Sequence, residues 1–148
     1  MTMSATCELC AGDGGELLWQ HPSLRVVLVD EPDYPGFCRV IWNSHVKEMT
    51  DLSPSERTLL TDAVWAVETA LRETMRPEKI NVATLGNMTP HVHWHVIPRY
   101  PDDRHFPSPV WAAPQRAADP AALQPRRTRL EQLRQSVRLQ LQAVATLA

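Results

Sequence analysis

His91-Val92-His93-Trp94-His95-Val96-Ile97 sets three imidazoles in strict alternation with bulky apolar side chains. Successive side chains of a β-strand point to opposite faces. As a strand, the run puts His91, His93 and His95 on one face and Val92, Trp94 and Val96 on the other. On a helix the same spacing would scatter the rings around the cylinder, and Val, Trp and Ile favour a strand in any case. The apolar face calls for a core. The imidazole face suits metal ligation, proton transfer or nucleophilic attack. A stack of ordinary surface histidines is the plainer alternative, and strict alternation with an apolar far face weighs against it.

Working outward, residues 79–85 read as another strand, and Gly86-Asn87-Met88-Thr89-Pro90 turns the chain into the histidine run. The turn brings backbone N–H groups to the imidazole face. Gly86 there allows close approach by a ligand, and a nest of N–H groups favours an anion; an ordinary hairpin turn is the alternative. Further upstream, Ser53-Pro54-Ser55-Glu56 is a capping box, with Ser53 at N-cap, Pro54 at N1 and Glu56 at N3. Leu59, Leu60, Val64, Val67, Leu71 and Met75 follow at helical spacing, and Pro77 ends the helix. Its single apolar stripe predicts a helix laid across one face of a sheet. Residues 16–19, 25–30 and 37–42 read as three strands of an antiparallel meander, with turns at His21-Pro22-Ser23 and in the Pro- and Gly-containing residues 31–36. Cys38, inside the third, reads as a small core residue. The fold class is α+β: an antiparallel sheet of about five strands, one long helix across it, and a further C-terminal helix.

One domain is the expectation for 148 residues. A net charge of −2 gives no long-range field to hold a nucleic-acid backbone. A phosphate-bearing small molecule would be held locally instead. The arginines at 126, 127, 129, 134 and 138 read as a solvated helix face. Three cysteines and no recognisable leader argue against a disulfide framework and for a reducing cytosol. No apolar run approaches a membrane span. Cys7-Glu8-Leu9-Cys10 places two thiols on one tight turn, half of a tetrahedral zinc site, with two unrelated free thiols as the alternative. His45, after the third strand, is a loop histidine that gains weight beside that pair. Residues 99–125 are Pro-rich and are assigned no regular structure, yet they are too long for a plain connector. They wrap the surface, meet a partner subunit or border the active site. Residues 126–147 form a second helix, whose stripe of Leu130, Leu133, Val137, Leu141 and Val144 must pack on the domain or on another subunit. The division expected is a catalytic domain at 1–111 and a connector with an amphipathic helix at 112–148. No internal repeat is present.

The histidine run resembles the signature of the histidine triad (HIT) family, His-φ-His-φ-His-φ-φ with φ apolar, and matches it at all seven positions. The resemblance extends over residues 7–111. It implies a HIT-like fold and a nucleotide hydrolase that cleaves at the α-phosphorus in two steps, through a nucleotidyl-histidine intermediate. By this likeness His93 is the nucleophile, with its proton held on the other ring nitrogen by a backbone carbonyl. His95 contacts the phosphate, and His91 completes the triad. Gly86, Asn87, Met88 and Thr89 lie where the family binds phosphate, and Asn81 matches an amide near it. Asp30 matches the acid that holds the ribose hydroxyls, and Val29 and Phe37 would line the nucleoside pocket. There are two departures. Many members carry a histidine where Pro35-Gly36 is followed here by Phe37. Many also carry Ser or Thr where Met88 stands.

Some members, and the related galactose-1-phosphate uridylyltransferases, bind zinc through positions that match Cys7, Cys10, His45 and His91. The resemblance therefore implies a structural zinc and no organic cofactor. Those transferases have Gln at the third triad position, so His95 points to hydrolysis. The expected substrate is a dinucleoside polyphosphate of the diadenosine tetraphosphate type, in a cytoplasmic homodimer with an adenine preference. An adenosine 5'-phosphoramidase is the alternative within the class. A nucleotide-binding interaction protein with little turnover is the alternative outside it. A catalytic zinc held by the triad itself fits poorly, because alternate Cα atoms on one strand lie roughly 7 Å apart.

Overall fold

The computed structural model describes residues 2–147. Five strands form one sheet: β1 (Glu16–Gln20), β2 (Leu24–Leu28), β3 (Cys38–Trp42), β4 (Lys79–Ala83) and β5 (His93–Arg99). Their order is β1-β2-β3-β5-β4, and every neighbouring pair is antiparallel. The helices are α1 (Glu8–Ala11), α2 (Pro54–Met75), α3 (Pro120–Arg127) and α4 (Leu130–Leu147). The α+β fold expected from the sequence is present. The first three strands form the meander, α2 then crosses the sheet, and the histidine strand enters between β3 and the edge strand β4.

The two faces of the sheet have separate jobs. Leu24, Val26, Val40, Trp94 and Val96 face α2 and belong to the main core. On the opposite face, Ile41 stands across from His93 and Arg39 across from His95. Residues opposed in this way share a face. α2 starts as its capping box predicts: the Glu56 N–H donates to Ser53 Oγ at 3.2 Å, and the Ser53 N–H donates to Glu56 Oε2 at 2.7 Å. It ends on Arg76, left-handed at φ 48°, just before Pro77. Leu60, Val64, Val67, Leu71 and Met75 are buried as the periodicity requires.

The C-terminal stripe packs on its own chain. Leu133, Val137 and Leu141 of α4 are wholly buried and join the core that α2 shares with the sheet. Two corrections follow for this region. Residues 120–125, assigned no regular structure from sequence, form α3 together with Arg126 and Arg127, and the long helix begins at Leu130 rather than 126. The Pro-rich composition masked a start signal like that of α2. Asp119 is the N-cap, accepting the Ala121 N–H at 3.0 Å, and Pro120 takes the first helical position. Pro125 cannot sustain that helix for long. A smaller correction concerns the triad strand. Its ladder begins at His93, not 91, because the His91 N–H turns back to Thr89 O and the Val92 N–H bonds Val46 O. The strand also runs through Pro98, which pairs only with β4. A proline is tolerated where no ladder donor is needed.

Leu133→Ala should cost about 2–5 kcal/mol in urea denaturation, the range for emptying a buried leucine site. A loss well below 1 kcal/mol would mean that α4 is an appendage rather than part of the core.

Candidate active site and metal cluster

His91 is buried and makes two contacts that fix its neighbours. Its Nε2–H donates to the Trp42 carbonyl at 2.5 Å. Its own carbonyl accepts the Nδ1–H of His93 at 2.6 Å. A carbonyl can only accept, so Nδ1 carries the proton of a neutral His93 and Nε2 keeps a bare lone pair. Thr84 Oγ1 donates to the His93 carbonyl at 2.7 Å, tying β4 to the same residue. Burial pushes the pKa of His91 and of His93 down, against the opposing pull of the carbonyls they bond. His95 is pushed down to about 4 by burial first, then by the charges of His93 and Arg39. All three rings are therefore biased towards neutrality.

The other nitrogen of His91, Nδ1, faces the N-terminal cysteines. It lies 3.5 Å from Cys7 Sγ, 3.6 Å from Cys10 Sγ and 3.2 Å from His45 Nδ1, while Cys10 Sγ is 3.4 Å from His45 Nδ1. The four ligand atoms all lie within 4.8 Å of one another. Ligands at zinc bond lengths on a tetrahedron would stand roughly 3.3–3.8 Å apart, and the four contacts of 3.2–3.6 Å are close to that. Cys7, Cys10, His45 and His91 could thus hold a metal ion. Arg25 secures the turn that presents the thiols. It donates to the carbonyls of Leu9 at 2.7 Å, Gly12 at 3.1 Å and Asp13 at 2.8 Å.

A cavity of about 640 Å³ opens on the imidazole face, lined by His93, His95, Arg39, Trp111 and all of residues 86–89. Gly86 has φ 86°, a conformation that disfavours other residues. Thr89 Oγ1 donates to Glu8 Oε1 at 2.9 Å, joining this turn to the cysteine turn. Met88 is 97% exposed at the rim. The other candidate residues lie elsewhere. Val29 and Asp30 line a separate hollow of about 320 Å³ beside Arg127 and Arg134. Phe37 is buried with Tyr34 and Ile97, though its ring meets the ring of His95 with centroids 5.7 Å apart. Asn81 Oδ1 accepts from Arg99 at 2.6 Å.

Three features escaped the sequence reading. Arg39 sits in an apolar strand and gave no signal of its own; only the register places it beside His95. Trp111 packs edge-on against His95, with centroids 5.0 Å apart, so the Pro-rich segment does border the site. That segment is held by Arg99, which is buried and pairs with Asp103 at 2.8 Å while donating to the Ser108 carbonyl at 2.7 Å. Burial opposes charge on Asp103, but Arg99 and three backbone N–H groups hold its pKa at about 2. An Arg and an Asp four apart outside a helix look like ordinary loop polarity, so no pattern revealed this clamp.

Residues 15–102 match the HIT domain family, and the chain belongs to that family. It is similar to the asymmetrical bis(5'-nucleosyl)-tetraphosphatase of Schizosaccharomyces pombe, with 33% identity over 91 residues, 57% of this chain and 50% of that protein. The match thus spans half of that relative's length. Among solved structures, a histidine triad protein from Bradyrhizobium japonicum aligns with a TM-score of 0.72 and 25% identity, covering 95% of this chain and 99% of that one. A Zn-bound histidine triad family protein from Mycobacterium smegmatis shares the fold, with a TM-score of 0.64, 20% identity, and 93% and 97% coverage. No helix among the described residues is long and apolar enough to cross a membrane.

Two outcomes are expected. Elemental analysis should find about one metal ion per chain, lost in Cys10→Ser together with a lowered melting temperature; unchanged metal content in that variant would remove the cluster as a site. For His95, the depressed pKa means that the unfolded chain binds the proton more readily between pH 6.5 and about 4. Its contribution to stability is therefore present above pH 6.5 and is lost as pH falls through that window. His95→Gln should lose less melting temperature than the wild type between pH 7 and pH 4.5, and equal losses would contradict this assignment.

Proposed function

We propose that the protein is a nucleotide hydrolase acting at the α-phosphorus through a nucleotidyl-His93 intermediate. The observation that carries this is the 2.6 Å bond from His93 Nδ1 to the His91 carbonyl, which leaves Nε2 as a nucleophile on the wall of a cavity that also holds the Gly86–Thr89 turn. In the first step Nε2 forms a bond to phosphorus while the bond to the leaving group breaks, and the leaving group keeps the electron pair. In the second, water bonds to phosphorus, the P–N electrons return to Nε2, and the proton of the water passes to solvent. The backbone N–H groups of the turn would hold the phosphate oxygens.

Within this class we favour a dinucleoside polyphosphate over a phosphoramidate. An amine leaving group needs a proton, whereas a phosphate leaves as an anion. His95, with its pKa near 4, is not charged to donate a proton at neutral pH. The likeness to a tetraphosphatase supports the same choice. The cysteine and histidine cluster we assign to zinc, since two thiolates and two imidazoles suit a closed structural site. When bound, zinc would anchor the N-terminal turn to His91. Asp30, Val29, Phe37 and Asn81 remain the proposed nucleoside contacts on family likeness, as do an adenine base, a homodimer and a cytoplasmic location. The stripe of α4 lends the homodimer no support, because the chain's own core covers it.

The test is intact-protein mass spectrometry during rapid turnover of diadenosine tetraphosphate. The wild type should show a transient gain of one adenylate. His93→Ala should show none and should turn over about 10³-fold more slowly or less. Negligible and equal turnover in both proteins, with no adduct, would instead make this a nucleotide-binding protein.

A further inference from the structure

Three buried side-chain nitrogens lack a hydrogen-bond partner among the described residues: Arg39 Nε, Trp94 Nε1 and His95 Nδ1. Trp94 belongs to the core side of the sheet. The other two sit directly across from each other on β3 and β5, on the imidazole face and on the wall of the cavity. The Arg39 side chain makes no hydrogen bond and no ion pair among the described residues, although it is partly buried. Glu8 is the acid that acts on it electrostatically, and it does so without pairing, its carboxylate being taken by Thr89 Oγ1. Burying a guanidinium without a partner costs stability. The planar fork of donors matches a phosphate group, which it can grip through two bonds at once.

We infer that Arg39 is a substrate-contacting residue that binds the phosphate chain beyond the α-phosphorus and makes the site selective for nucleotides whose leaving group is a polyphosphate. Three placements support this. Arg39 lies beside His95, next to the proposed nucleophile, and does not line the separate hollow of Asp30. The guanidinium and the Gly86–Thr89 turn line the same cavity, so a ligand held by one is within that space of the other. As the P–O bond breaks, negative charge gathers on the departing phosphate, and a fixed cation there lowers the barrier. A departing amine carries no such charge, so Arg39 gives it much less. This inference rests on the hydrolase reading for the identity of the bond cleaved, but the anion contact itself does not need turnover.

The test pairs a binding measurement with kinetics on wild type, Arg39→Leu and Arg39→Lys. Calorimetry with inorganic tripolyphosphate should show affinity falling about 30-fold in Arg39→Leu, the equivalent of a charged bidentate contact, with partial recovery in Arg39→Lys. The loss of kcat/KM in Arg39→Leu should be at least about tenfold larger for diadenosine tetraphosphate than for adenosine phosphoramidate. The melting temperature of Arg39→Leu should equal or exceed that of the wild type, since a half-buried guanidinium whose buried Nε has no partner is removed. Unchanged tripolyphosphate binding would overturn the assignment. So would equal losses on both substrates with a lowered melting temperature, which would mark Arg39 as structural. If tripolyphosphate binding depended on Arg39 while the wild type formed no adenylate on His93, the hydrolase reading would fail and the anion contact would stand. Adenylate on His93 with Arg39-independent tripolyphosphate binding would do the reverse.

Discussion

His91 is held on three sides, and the arrangement of the site depends on it. Its Nε2–H is fixed to β3 through the Trp42 carbonyl, its Nδ1 faces the cysteine turn, and its carbonyl receives the proton of His93. One residue thereby links the sheet, the candidate metal site and the proposed nucleophile. The tautomer of each ring follows from what its neighbour can accept. With Nε2 of His91 committed to a carbonyl, Nδ1 is free for a metal. With Nδ1 of His93 committed likewise, Nε2 keeps its lone pair. No charged group is needed for either choice, which suits a face where burial already disfavours the imidazolium form.

The rest of the fold holds that face in place. α2 and α4 cover one side of the sheet with a continuous apolar core, and the opposite side stays available for polar work. Two short segments close it from either end. The N-terminal turn, braced by Arg25, reaches the turn before Pro90 through Glu8 and Thr89. The Pro-rich segment, clamped by Arg99 and Asp103, brings Trp111 onto His95. Both are loops in composition, but each is fastened by buried charged or carbonyl-bound arginine. Buried arginines are costly unless fully satisfied, and Arg25 and Arg99 are. Arg39 differs from them in that its buried Nε has no partner, and that contrast is what the proposed phosphate contact rests on.

Much of this was legible in the sequence because it rests on periodicity. Alternation in residues 91–97 gave the two faces, the capping box at Ser53 gave the start of α2, and the spacing of Leu133, Val137 and Leu141 gave a buried stripe. The ligand cluster was legible as well, although its members are up to 84 residues apart, because Cys-x-x-Cys and two histidines form a recognisable set. What escaped was set by pairing between strands and by isolated polar contacts. Nothing in Cys38-Arg39-Val40 says which residue of another strand Arg39 will face. The Arg99–Asp103 pair has no periodic context, and α3 was hidden by prolines that usually mark loops. That Asp30 lines a hollow other than the imidazole cavity was also beyond a linear reading, since β2 ends at Leu28 and Asp30 lies in the connection after it.

The most direct test of the account is the protonation state of His93, read by long-range nitrogen–proton NMR correlation of the ¹⁵N-labelled protein at neutral pH. The bond to the His91 carbonyl predicts a neutral ring with the proton on Nδ1 and a bare Nε2. A proton on Nε2, or an imidazolium at that pH, would contradict it, because the ring would then have no bare Nε2 for the proposed attack on phosphorus.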